Sequence, residues 1–151
     1  AGATKCVKGT RTLIDYSADF VDQAKCSELA TTQVDRGSKV IFAVAGGCGL
    51  GALDVAKEGG LWGVGVDTDQ SFLGPHILTS AVKRVDVAVE TAVLSAKRGT
   101  FKGGTDLNFN LKNKGVAVGK ISRRVPKAFI TKMNKIGAQI LAGKIKPPKR
   151  T

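Results

Sequence analysis

An α/β fold with a mainly parallel sheet is predicted by three features of the sequence. Short apolar runs alternate with helical patterns along the chain, the order that places helices on the faces of a parallel sheet. Residues 43–70, AVAGGCGLGALDVAKEGGLWGVGVDTDQ, run from a strand end into a glycine loop, a short helix, a second apolar run and an acid, Asp67. That layout puts a ligand at the C-terminal ends of parallel strands. Gly is frequent, 19 of 151 residues, which favours a loop-rich α/β or β protein over a helical bundle. The length suffices for one domain with a real core.

Taken in order, Thr12 to Asp15 reads as a strand. Asp19 to Asp22 reads as a loop entering a helix, with acids near its positive end. That helix runs to about Arg36 and Gly37 caps it. Val40 to Val44 is a buried strand, Leu50 to Glu58 a short helix closed by Gly59-Gly60, and Trp62 to Val66 the next strand. His76 to Thr79 forms another, and Ser80 caps a helix reaching Arg98. Val82, Val85, Val89 and Val93 make one apolar stripe on it, Lys97 and Arg98 suit its negative end, and Gly99 stops it. Thr105 to Val118 alternates loosely, with Leu107, Phe109 and Leu111 on one face, and reads as a strand bent near Asn113 to Gly115. Pro126 opens the last helix, lined by Phe129, Met133, Ile136 and Ile140 and ended by Gly143. Residues 147–151 form a basic tail. About four core strands are visible where such sheets hold ~5–6, and the chain opens abruptly at a strand. Both features read as an incomplete chain.

The charge is uneven. Of 24 Lys and Arg, 9 lie in residues 1–96 with 11 of the 12 acids, so the other 15 share residues 97–151 with Asp106 alone. A basic segment of this kind is a solvated surface or a site for nucleic acid or anionic lipid. Its only aromatics are Phe101, Phe109 and Phe129, too few for a single-strand stacking platform. No apolar run approaches the ~20 residues that span a bilayer, and neither a signal peptide nor a lipid-attachment site is seen. Cys6, Cys26 and Cys48 lack metal-binding spacing and His76 is the only histidine, so no metal site is expected. Cys6 and Cys26 lie near the two ends of the first strand–helix unit; they are a disulfide in an extracytoplasmic protein or buried free thiols.

Gly47-Cys48-Gly49-Leu50-Gly51-Ala52 matches G-x-G-x-x-G/A, and Asp67 follows Gly47 by 20 residues at the end of the next strand. This is close to the dinucleotide fingerprint, in which glycines let the backbone approach a ligand, the helix offers free N–H groups and the acid accepts from ribose hydroxyls. The same turn also exists without a ligand. Asp67 and Asp69 lack a third metal ligand; Asp69 and Gln70 read as fixing the loop. Phe20, in a polar loop after a strand, either stacks on a flat base or folds beneath its own loop. Lys83 falls in the first turn of a predicted helix, the wrong end for a cation; it meets a ligand or an acidic partner there, or simply faces solvent. No hydrolase elbow, Walker loop or catalytic cysteine context is present.

VIFAVAGGCGLGALDVAKE, WGVGVDTDQ and ILTSAVKRVDVAVETAV together resemble the basic membrane protein family, the substrate-binding lipoproteins of ABC importers related to purine nucleoside receptors. Tyr16 to Asp22 and Phe101-Lys102-Gly103-Gly104 resemble it too. The resemblance covers the C-terminal half of such proteins. It implies a type I periplasmic-binding-protein lobe over residues 1–146, with hinge crossings near 74–82 and 103–118 and the N-terminal lobe missing. It implies a non-enzymatic receptor that needs no cofactor, captures a nucleoside between two lobes and hands it to an ABC permease. It also implies an extracytoplasmic, lipid-anchored full-length protein and no specific nucleic acid partner. Phe20 would stack on the base, Gly46 and Gly47 would let the backbone approach, Asp67 would accept from the ribose and Lys83 would donate to the sugar side. Cys48 stands where the family more often has a small hydroxyl residue. The alternatives are an NAD(P)-binding Rossmann-type enzyme domain using the Gly47–Ala52 loop and Asp67, or a basic nucleic-acid module.

Overall fold

The computed structural model describes residues 2–147. Four strands form one sheet in the order β1-β2-β3-β4: β1 is Val40–Phe42, β2 Trp62–Asp67, β3 Ile77–Lys83 and β4 Val116–Val118. The first three run parallel and β4 lies antiparallel on β3. The mainly parallel α/β sheet expected from the alternating pattern is therefore present. Because β1, β2 and β3 point the same way, the turn after β1, Asp67 and Lys83 share one rim.

α2 (Gln23–Asp35) starts at Asp22, whose carboxylate accepts from the Lys25 N–H at 3.2 Å and satisfies a first-turn donor. α3 (Cys48–Glu58) follows β1 and packs on β1, β2 and α2. The core between them is made of small residues: Cys26 and Ala30 from α2, Ala52, Leu53 and Ala56 from α3, Ile41 and Ala43 around β1, and Ile77 from β3. Gly51 permits this closeness. A Cβ there would run into the Gln23 carbonyl and stand 2.6 Å from Ser27 Oγ. By contrast α4 (Val85–Lys97) and α5 (Lys127–Leu141) contain no buried residue, and Val85, Val89 and Val93 are exposed. The Arg124 guanidinium lies 5.6 Å from the centre of the Trp62 ring, a cation–π contact at the start of β2.

Several expectations are corrected. The chain does not open at a strand: α1 (Gly2–Cys6) comes first, and Thr12 to Asp15 is irregular. That segment lines a cleft of about 810 Å³ with Val40, Phe42 and Val44, and no ladder joins it to β1. The helix predicted from Ser80 loses its first residues to the sheet. Ala81 and Val82 pair with β2 on one side and β4 on the other, Lys83 pairs with β4, and these ladders hold the three extended. The helix begins at Val85, so Val82 leaves the predicted stripe. Of Thr105 to Val118 only the last three residues are strand. Asn113 Oδ1 accepts from the Asn110 N–H at 2.8 Å and Asn113 Nδ2 donates to the Asn108 carbonyl at 2.7 Å, local bonds that compete with a ladder. Cys26 is bonded to Cys48, not to Cys6, which is free and exposed. Residues 148–151 of the predicted tail lie outside the described residues.

Candidate ligand-binding site

The turn from β1 to α3 is built on Gly46, whose φ of +56° lies in the left-handed region. A Cβ there would also stand 3.1 Å from the Phe20 carbonyl oxygen, so conformation and space both require glycine. Phe20 is thus brought against Gly46 and Gly47, and the Cys48 N–H donates to its carbonyl at 3.1 Å. The Phe20 loop is tied by Asp19, whose Oδ1 accepts from the N–H groups of Val21 at 2.7 Å and Asp22 at 2.9 Å. These bonds, that of Asp22 foremost, favour the charged carboxylate and hold its pKa below the ordinary value. Phe20 itself is 75% exposed, so it is not folded beneath its loop.

The free N–H groups expected at the start of α3 are not free. Cys48 donates to Phe20, Gly49 to the Gly46 carbonyl at 3.2 Å and Leu50 to the Gly47 carbonyl at 3.1 Å. A pyrophosphate cradle needs such donors open. The fingerprint here makes a tight turn and leaves the start of the helix already satisfied.

The acceptor side of the rim is different. Asp67 has φ +67°, and the Thr68 N–H closes a three-residue turn across it onto the Val66 carbonyl at 2.8 Å. A non-glycine residue in that region carries strain of order 1–3 kcal/mol. Lys83, placed at the end of β3 rather than on a helix, brings its Nζ within 2.7 Å of Asp67 Oδ1. The Lys83 ammonium covers Oδ1, which is sealed from solvent and takes no other partner among the described residues. Both side chains are about half exposed or more, at 47% for Asp67 and 65% for Lys83. Such a pair contributes about 0–1 kcal/mol and is easily exchanged for a ligand.

Below Asp67 the loop is fixed from inside. Gln70 Oε1 accepts from the Val66 N–H at 2.9 Å and the Gln70 N–H donates to Ser80 Oγ at 3.0 Å, all buried. Gly65 leaves room for both, since a Cβ there would stand 2.5 Å from Ser80 Oγ. Asp69 Oδ1 accepts from the Ser71 N–H at 3.1 Å. Gln70 and Asp69 therefore hold the loop, as the sequence reading has it, and Ser80 is their partner rather than a helix cap. His76 is buried with neither ring nitrogen hydrogen-bonded, and burial, then the nearby Lys57 charge, push its pKa below the ordinary value.

The five predicted site residues thus form two groups at one rim, Phe20 with Gly46 and Gly47, and Asp67 with Lys83. Neither the cleft of about 810 Å³ nor a cavity of about 80 Å³ between α2 and β1 is lined by any of them. They make an open surface. Among the described residues no group of three or more His, Cys, Asp or Glu could hold a metal ion, and no helix is long and apolar enough to cross a membrane. Sequence reasoning missed the Cys26–Cys48 bond; its signal was a cysteine inside the glycine loop.

The fold is shared with ABC transporter solute-binding proteins. One from Aeropyrum pernix K1 superposes with a TM-score of 0.78 at 21% identity, over 97% of this chain and 51% of that one. The profile of the family described as "ABC transporter substrate-binding protein PnrA-like" matches residues 1–151, and the chain belongs to that family. It is similar to the CD4+ T-cell-stimulating antigen of Listeria monocytogenes, 32% identical over 91% of this chain and 43% of that protein. It is similar also to the ABC transporter nucleoside-binding protein BmpA of Lactococcus lactis, 33% identical over 79% of this chain and 39% of that protein. The chain spans less than half the length of these two relatives. The likenesses lend no support to the dinucleotide-enzyme alternative, in keeping with the occupied donors of α3.

Proposed function

We propose that this chain is one lobe of a two-lobe receptor that captures a nucleoside, of the purine class, and delivers it to an ABC permease. The observation that carries the reading is Asp67. A carboxylate whose sealed oxygen is held by the Lys83 ammonium alone, on a strained turn at the rim of a parallel sheet, suits a ligand whose paired hydroxyl donors share or replace that contact. Ribose supplies them. Lys83, already on Asp67, then donates to the sugar side; Phe20 offers its exposed ring to the base, and Gly46 and Gly47 let the backbone approach. A bare nucleoside needs no phosphate cradle, which agrees with the satisfied N–H groups of α3.

On this reading residues 1–146 are the lobe, the chain crosses to the other lobe near 74–82 and 103–118, and the exposed valines of α4 pack there. Capture is hinge closure without chemistry, metal or cofactor. The full-length protein is an extracytoplasmic lipoprotein, a location in which a disulfide persists. Calorimetric titration of the full-length protein with inosine, guanosine, adenosine and NAD, beside an Asp67→Ala variant, tests the proposal. Tight nucleoside binding that Asp67→Ala abolishes is expected. Binding of NAD alone, or nucleoside binding indifferent to Asp67, overturns it. The single lobe is expected to bind weakly, because a closed cleft buries most of its ligand between two walls; sub-micromolar affinity of residues 1–151 by themselves would refute the two-lobe mechanism.

A further inference from the structure

We infer that the Cys26–Cys48 disulfide positions the ligand rim, locking the Phe20 loop to the glycine loop so that the site is preorganised only in the oxidised protein. The inference rests on the nucleoside reading for its ligand and on geometry for its mechanism. Cys26 lies in the first turns of α2, directly after the loop that carries Phe20, and Cys48 is the first residue of α3, directly after Gly46 and Gly47. Their Cα atoms are 5.5 Å apart and both residues are buried, Cys48 completely. The bond therefore spans the seam between the two loops that would grip the base.

Beside the bond, the seam at the rim is held by backbone contacts. The Cys48 N–H reaches the Phe20 carbonyl at 3.1 Å, and Gly46 packs against Phe20. Phe20 and Val21 are otherwise exposed, and Ala18 sits at φ +50°. A backbone bond of this kind opens readily when the elements carrying it can part. Gly51 against Gln23 at the start of α2, and the small-residue core further in, keep α2 on α3 without the bond. Reduction should loosen the rim while leaving the core assembled, so the bond acts on ligand affinity through Phe20, beyond its contribution to stability. Preorganisation of this sort lowers the ordering cost of binding.

The test uses the full-length protein in three forms: oxidised, reduced with a dithiol, and the Cys26→Ala/Cys48→Ala variant. All are held at a temperature where circular dichroism shows each folded. Amide hydrogen exchange and inosine affinity are read together. Without the bond, exchange at residues 46–49 is expected to quicken about tenfold through local opening that urea does not accelerate, while Ala56, further along α3, follows only the change in global stability. The inosine Kd is expected to weaken about tenfold, and reoxidation of the reduced protein to restore both. If the variant fails to fold, reversible reduction carries the same comparison. Rim exchange that, like that of Ala56, follows global stability alone makes the bond a general staple and overturns the inference. An unchanged Kd beside quickened rim exchange overturns it as well. If no form binds inosine, the nucleoside reading falls, and the positioning role is then judged on the exchange pattern alone.

Discussion

Replacing Gly51 by alanine should destabilise the chain, although alanine is the better helix former. Gly51 is inside α3, where the change alone is favourable by about 1 kcal/mol. The added methyl has nowhere to go. It would collide with the Gln23 carbonyl oxygen and stand 2.6 Å from Ser27 Oγ and 2.8 Å from the Gln23 carbonyl carbon. Serine can rotate away, but the carbonyl belongs to the first turn of α2, so the two helices must part. Overpacking of a close contact costs typically ~1–3 kcal/mol. Parting α2 from α3 also thins the contacts of Ala30, Ala52 and Leu53, which make up much of a small core. A net loss of about 2 kcal/mol, or roughly 4–8 °C in Tm for a chain of this size, is expected. Gly137→Ala is the matched control: it lies in α5 with nothing within 4 Å of its added Cβ. There the helix preference acts alone and stability should rise by about 0.5–1 kcal/mol. Thermal unfolding by far-ultraviolet circular dichroism compares the two. If Gly51→Ala raised Tm as Gly137→Ala does, the close α2–α3 packing and the core built on it would be refuted.

Three further outcomes are expected. Phe20→Ala should leave Tm nearly unchanged, since the residue is 75% exposed, but weaken nucleoside binding by about 5- to 100-fold, the worth of one stacked base; equal affinity would remove Phe20 from the site. Breaking the Cys26–Cys48 bond frees a loop with a sequence separation of 22, for which the chain-entropy model gives about 3 kcal/mol. Urea unfolding with and without reductant measures it, and a loss below about 1 kcal/mol would show that the unfolded chain gains little freedom. His76 has a folded pKa pushed below its ordinary 6.5, so the unfolded chain takes up the proton first. Its contribution is complete above that value and is lost as pH falls through the folded pKa. The urea midpoint of the wild type should therefore drop more than that of His76→Leu between about pH 7.5 and about pH 5; parallel curves would contradict the burial of a neutral ring.

The parts of the fold that were legible in the sequence are those where local pattern and tertiary packing agree. Apolar runs flanked by glycine gave β1 and β2, and Asp22 and Gly37 framed α2. The misreadings fall where packing overrode pattern. Val82, Val85, Val89 and Val93 have helical spacing, yet Val82 is drawn into β3 by ladders on both sides, one of them to Val116–Val118 far along the chain. No local window contains that partner. Thr12 to Asp15 has strand composition, but a strand needs a neighbour to pair with, and here it borders a cleft. Composition describes what a segment can pair as, and topology decides whether it pairs.

The candidate site shows the same division at the scale of single bonds. The glycine-rich segment announces a tight strand-to-helix turn, but the demand on φ falls on Gly46, just before the G-x-G-x-x-G/A match, while Gly51 within the match serves the packing of α3 on α2. It cannot announce which N–H groups remain open, because that depends on where Phe20, 28 residues before Cys48, places its carbonyl. Once that carbonyl is in place the turn no longer invites an anion, and the ligand chemistry passes to the acceptor at the end of β2. Asp67 was legible as the acid after the second strand. Its pairing with Lys83 was not, since that follows from Lys83 arriving at the end of β3 instead of on a helix. On the proposed reading, a rim whose α3 N–H groups are occupied and whose Asp67 carboxylate accepts favours a neutral ligand that carries hydroxyls over one that carries phosphate. That preference follows from the pairing of the backbone and would hold whichever base the ligand bears.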